Sequence, residues 1–390
     1  MPTDAARDDL ARAQEAYGQL LLEVRERSPE YGALVTGDIV PWQGVAARLA
    51  PDEVFIEYLV ADSGAVAFVV TRDSIASVDL RLTRRSLSAL VDFARGVISP
   101  DAAVEPRAWR PPLRRLYARL LAPIEGAGLL RGKRFVVIAP HLELHYLPFA
   151  ALIAPGDHFL IERYALVTVP SAAVWAQLAD RVAAPVPRGV LALAPRAVAL
   201  PGTGEEIDAI RRAYGDGATL LVGTAATKAA FGAMADQYAV LHLATSGFLN
   251  KQNPLFSFLQ LGPSSGEDGR LEVHDVFGLR LNARLVVLSA CQTGVGAGAL
   301  ADVPTGDDWV GLVEAFHYAG ARNVIATLWS VDDRASANVM RRFYGGLQAG
   351  EDEATALAEA QRQTLKLAMS DNPYFWAGFV LSGVPEFARP

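Results

Sequence analysis

One cysteine, Cys291, in 390 residues excludes an intramolecular disulfide, so packing rather than cross-linking must hold the chain together. There is no charge-free apolar run of about 18 residues, the length a membrane-crossing helix needs, so no membrane span is expected. The opening MPTDAARDDLARAQ has neither a basic n-region nor an apolar core. It is not expected to be a signal peptide, and a cytoplasmic location is expected. Lys and Arg number 36 against 43 Asp and Glu, and the resulting charge of -7 argues against a nucleic-acid partner. Six histidines with one cysteine offer no recognisable ligand spacing, so no metal site is expected. The glycine-rich GVGAGAL at 294–300 lacks the lysine and the glycine order of a phosphate loop, and no cofactor is expected. It reads instead as a mobile loop beside the cysteine. No GxSxG elbow is present, which weakens any reading as a serine hydrolase acting through Ser246 or Ser289.

What the chain does have is apolar residues, at 51% against 20% charged, enough for a sizeable core. Residues 4–27 place Leu10, Ala13, Leu20, Leu21 and Val24 at roughly helical spacing among charges, an amphipathic helix. DEVFIEYLVADSGAVAFVVTRDSIASVDLRL then reads as a three-stranded meander, followed by helices at about 84–96 and 112–121. RFVVIAP and YALVTV read as strands, with a helix in SAAVWAQLAD. The proline-bearing RVAAPVPRG suggests a boundary, giving units at 1–182 and 186–390. Beyond it, strands in GVLALA, TLLVG, AVLHLA, FSFLQL, NVIATL and WAGFVL are separated by helical stretches. That alternation predicts an α/β fold built from parallel βαβ units.

The most informative stretch is LVVLSACQTG at 285–294: an apolar, partly β-branched strand that breaks at Ala290, Cys291, Gln292, Thr293 and Gly294. The crevice outside the carboxyl ends of parallel strands is where ligands bind and chemistry occurs, because helices cover both faces. VLHLATSG at 240–247 repeats the design of strand, small residues and glycine. Together the two stretches resemble the CHAT domain, a caspase-like family related to separase with motifs close to HxATHG and SACxTG. HLELHYLPFAAL and LWSVDD resemble further family blocks.

The resemblance implies a caspase-like, mostly parallel sheet flanked by helices, with the part before Arg181 a degenerate caspase-like half. It also implies a cysteine endopeptidase acting on a protein or peptide substrate, in a family used in bacterial signalling and defence. Cys291 would be the nucleophile, and the backbone N–H groups of Gly247 and Cys291 would form the oxyanion hole. One position departs from the pattern: Ser246 stands where the family has its catalytic histidine. A serine hydroxyl does not titrate in the useful range and cannot serve as general base. The chain is therefore expected to be inactive or nearly so as a peptidase, while peptide binding could survive.

Two readings stay open: a peptidase copy in which the base has been replaced, and a natural pseudopeptidase that binds or scaffolds protein partners. The amino-terminal region is the place such a reading gives to a regulatory partner. His242 is about 13 Å along its strand from position 246, too far to substitute. His141 and His145 are read as loop residues that satisfy backbone groups or solvent, and His274 and His317 as surface or packing residues on helices. Glu205 and Glu206 are assigned to the dipole of the helix they open. Substrate contacts are expected from Ser289, two residues before the nucleophile, from Trp329 and from Asp332. The short neutral Ser289 favours a neutral residue at the cleavage site, unless an aspartate among Asp302, Asp307, Asp308, Asp332 and Asp333 reaches the pocket.

Overall fold

In the computed structural model, residues 39–98, 107–181, 188–248, 254–264, 266–291, 307–367 and 371–385 are described. The helix expected at 4–27, the expected boundary between 182 and 186, and the glycine-rich stretch 294–300 with Asp302 lie outside them. A short helix, α1 (Trp42–Ala46), precedes the meander. Its strands β1 (Glu53–Ala61), β2 (Gly64–Val70) and β3 (Ile75–Asp79) pair antiparallel in chain order, as the alternating pattern predicts. Helices α2 (Arg84–Ile98), α3 (Arg110–Leu120) and α4 (Ala122–Gly126) follow, and α3 takes its prolines into the first turn, where no intrahelical N–H bond is lost. Then β4 (Phe135–Ala139) lies parallel to β1, and β5 (Ala165–Thr168) parallel to β4. Helix α5 (Ala172–Asp180) is capped by Ser171, whose hydroxyl accepts from the Val174 N–H at 3.2 Å.

Beyond residue 188 come β6 (Val190–Ala194), α6 (Pro201–Tyr214), β7 (Ala218–Val222), α7 (Lys228–Met234) and β8 (Val240–Phe248). The short strands β9 (Phe258–Gln260) and β10 (Arg270–Glu272) lead into α8 (Val273–Phe277) and β11 (Leu285–Cys291). The remainder is α9 (Asp307–Ala319), β12 (Asn323–Thr327), α10 (Asp333–Gln348), α11 (Glu353–Leu365) and β13 (Phe379–Gly383). Thirteen strands among the described residues form one sheet, ordered β10-β9-β8-β11-β12-β13-β5-β4-β1-β2-β3, with β6 on β8 and β7 on β6. The sheet is mostly parallel and runs unbroken through both halves, because β13 pairs with β5.

Beyond residue 188 the parallel rule fails at three pairs among the described residues, β8 with β9, β9 with β10 and β12 with β13. β9 runs antiparallel to β8, because the chain doubles back after Phe248 instead of crossing over through a helix. β13 runs antiparallel to β12, because α10 and α11 pack on each other as a hairpin, and two helical passes return the chain to the end of the sheet where β12 stops, with Phe379 opposite Thr327. Helix α7 starts at Lys228, where the Thr227 hydroxyl caps it by accepting from the Ala230 N–H at 3.1 Å.

The central strands are buried on both sides. Val240, Leu285 and Val287 join one apolar cluster with Ile207 and Ile210 of α6 and Val339, Met340 and Phe343 of α10. Leu241, Leu243, Val286 and Leu288 face the other way, into a cluster with Val276 of α8 and Leu312, Val313 and Phe316 of α9. At about 1.5–3 kcal/mol for each large side chain buried, these two layers fix the register of β8 against β11.

Candidate active site

That register brings the two motifs together. β8 and β11 pair in parallel from Leu285 with Val240 through Ser289 with Ala244 to Cys291 with Ser246. Neighbouring strands lie about 4.8 Å apart, so positions 246 and 291 face each other at the carboxyl ends of the two strands. Ser246 is buried. Strand β8 continues beyond it, with Gly247 opposite Leu259 of β9, so Gly247 sits within a ladder rather than on a turn. No metal or cofactor is required by this arrangement, which joins a thiol-bearing residue, a hydroxyl and strand-end backbone.

Behind the strand ends is a buried polar network that sequence reasoning missed. Glu206, in the second turn of α6, is 2% exposed. Its carboxylate accepts from the Ser289 hydroxyl at 3.2 Å. Because that single O–H is spent on Glu206, the Ser336 hydroxyl of α10, also 3.2 Å away, donates to Ser289. The other Glu206 oxygen lies 3.3 Å from His242 Nε2, an ion-pair distance with poor hydrogen-bond alignment. A carboxylate only accepts, so Nε2 carries the ring proton and Nδ1 accepts from the Tyr344 hydroxyl at 2.8 Å. Burial raises the Tyr344 hydroxyl well above its ordinary pKa, which keeps it protonated and able to donate. Helices α6 and α10 thus clamp strand β11 through Ser289. Glu206 had one signal in sequence: it lies four residues after Gly202 and four before Ile210, inside the apolar stripe of its helix.

Four more residues follow the neighbouring strands β6 and β12. In the turn after β6, exposed Arg196 directs Nη1 to the Ser246 hydroxyl at 3.4 Å. Asp333 is spent on α6, accepting from the Thr203 N–H at 2.8 Å and the Thr203 hydroxyl at 3.0 Å. Asp332 is exposed and caps α10, accepting from the N–H groups of Arg334 at 3.1 Å and Ala335 at 2.9 Å. Trp329 is half-buried, with Nε1 donating to the Tyr374 carbonyl at 3.2 Å.

The histidines are placed elsewhere. His141 accepts from the Val60 N–H at 3.1 Å, satisfying a backbone group as expected. Burial lowers the pKa of His145 to about 4. His317 is fully buried, with Nδ1 donating to the Ala321 carbonyl at 3.0 Å and Nε2 accepting from Ser382 at 3.0 Å. Among the described residues, Glu272, His274 and Asp275 are the group whose ligand atoms, within 4.8 Å of one another, could hold a cation. Asp275 is already paired with Lys228 at 2.7 Å, and the group lies on α8 and β10, away from Cys291.

A cysteine ending a central parallel strand, beside a second strand with Ser-Gly near its carboxyl end and between two helical layers, gives a caspase-like fold. The structure matches a chain of the Saccharomyces cerevisiae separase–securin crystal structure with a TM-score of 0.56 at 10% identity, over 92% of this chain and 31% of that one. That likeness speaks for the fold alone. The CHAT domain model matches residues 110–384, and the chain belongs to the CHAT domain family. It is also similar to mouse Tetratricopeptide repeat protein 28, at 28% identity over 77% of this chain. The human protein of the same name is 29% identical over 70% of this chain. The chain spans only 15% and 13% of the length of those relatives. No described helix is long and apolar enough to cross a membrane.

Proposed function

We propose that this chain is a caspase-like peptidase scaffold that binds an extended protein segment across the ends of β8 and β11 and turns it over slowly or not at all. The observation that carries this reading is the pairing of Cys291 with Ser246 in one register, nucleophile position against base position, with a hydroxyl where an imidazole is needed. A free thiol of pKa near 8.5 is mostly protonated at neutral pH, and a hydroxyl neither takes its proton nor returns it to a leaving amine. The N–H groups of Gly247 and Cys291 supply the oxyanion contacts, Trp329 and Asp332 border the bound segment, and Ser289 supports the floor through Glu206. Residues before Arg181 serve as a degenerate caspase-like half that completes the sheet.

One observation favours a natural pseudopeptidase in a signalling or defence role: Ser246 has a partner of its own in Arg196. The test is hydrolysis of a fluorogenic peptide mixture by the chain, its Cys291→Ala variant and its Ser246→His variant. The first two should be indistinguishable and the third should cleave. Efficient Cys291-dependent hydrolysis by the unaltered chain would refute the reading.

A further inference from the structure

The charges around the crevice do not balance. Among the described residues, its three nearby carboxylates are committed: Glu206 to Ser289 and His242, Asp333 to the first turn of α6, and Asp332 to the first turn of α10. The two aspartates are further offset by the partial positive charge of the helix ends they cap. Arg196 is different. It is exposed, its guanidinium reaches the strand-end serine opposite Cys291, and it forms no ion pair among the described residues. Its one bond there is 3.4 Å long, whereas a guanidinium bonds a carboxylate at about 2.7–2.9 Å, commonly through two parallel N–H groups. Its other four donors have no partner among the described residues, and a carboxylate displacing the hydroxyl would replace a long neutral contact with short charged ones.

From this geometry we infer that Arg196 is the specificity-determining residue of the crevice and selects an acidic peptide, seating an Asp or Glu side chain beside position 246. The inference rests on the reading that the crevice binds an extended protein segment. It also separates two sides of the nucleophile. On the Ser289 side a buried carboxylate disfavours an acidic residue, and on the Ser246 side Arg196 attracts one.

The experiment measures fluorescence anisotropy of labelled random decapeptide pools on the full chain. One pool carries two fixed Asp or Glu residues, and the other carries Lys or Arg at the same places. The acidic pool should bind at least about tenfold more tightly at low salt, with the preference shrinking as salt is raised. Arg196→Ala should abolish the preference, Arg196→Glu should reverse it, and Arg196→Lys should retain part of it. Because Arg196 is exposed on a turn, these variants should keep the unfolding midpoint of the parent. Equal binding of both pools, a basic preference, or an acidic preference that survives Arg196→Ala would overturn the inference and leave the scaffold reading standing. Failure of both pools to bind would remove both the inference and the scaffold reading.

Discussion

On the proposed reading, replacing Ser246 by histidine supplies a base, and the structure constrains the size and the pH dependence of the gain. Position 246 is in register with Cys291 on the neighbouring strand, so an imidazole there falls within reach of the thiol position. General acid–base catalysis contributes about 10²–10⁴ in rate, or roughly 2.7–5.4 kcal/mol of barrier. Arg196 lies 3.4 Å from the present hydroxyl, and would therefore sit about 5 Å from the new ring. Like charges at that distance repel by about 1–3 kcal/mol for effective dielectric constants between 80 and 20. The repulsion disfavours the imidazolium and lowers its pKa from 6.5 by about one to two units. The base is then neutral at pH 7, and the acid limb of kcat/KM should fall near pH 5 rather than 6.5. Adding Arg196→Ala should move that limb back up by at least half a unit. A fluorogenic-peptide pH profile, with Cys291→Ala as the blank, measures both effects. An acid limb at or above 6.5 that ignores residue 196 would refute the placement of Arg196. An inactive Ser246→His variant whose thiol remains open to alkylation would refute the argument that the base alone is missing.

Three further outcomes follow from the same contacts. The alkylation rate of Cys291 should titrate near the free-thiol value of about 8.5, since position 246 carries no imidazole to take the proton; a midpoint under about 6 would require another activating group. Glu206→Leu should cost about 3–5 kcal/mol in urea unfolding by leaving His242 and Ser289 without their buried partner, and Glu206→Gln less, because the amide oxygen still accepts from Ser289; an unchanged midpoint for Glu206→Leu would show that the network carries no stability. Burial lowers the His317 pKa to about 4, so the folded state favours the neutral ring. Its stabilising contribution is complete above pH 6.5 and is lost as pH falls toward 4, by about 3 kcal/mol, and His317→Gln should flatten the stability profile over that interval.

The strand-end pair was legible in the sequence because its two determinants are local. Apolar β-branched runs announce buried parallel strands, and small residues after them announce strand ends, so Cys291 and Ser246 could be placed at one rim before any pairing was known. The groups surrounding that rim come from elsewhere in the chain and from helix rotation. Arg196 sits in a turn with no pattern of its own. It matters only because β6 is the neighbour of β8, a sheet order that the strand sequences do not encode locally. Glu206 was misassigned because a glutamate near a helix start has a ready explanation in the dipole. Its true surroundings follow from the packing of α6 against α10, where Gly202 lets the helix ends touch: a Cβ there would lie 2.2 Å from the Asp333 carbonyl oxygen.

The same asymmetry explains how a caspase-like fold tolerates serine at the base position. What holds β8 against β11 is the apolar layering of Val240, Leu241, Leu243 and Val286 to Leu288, and the clamp on Ser289 from Glu206 and Ser336. None of these contacts involves the side chain of residue 246. A serine there leaves the strand pair intact and gives Arg196 a neutral partner. On the proposed reading, loss of turnover is therefore energetically independent of retention of the crevice. A binding function can persist on this rim because the residues that shape it are not the residue that chemistry required.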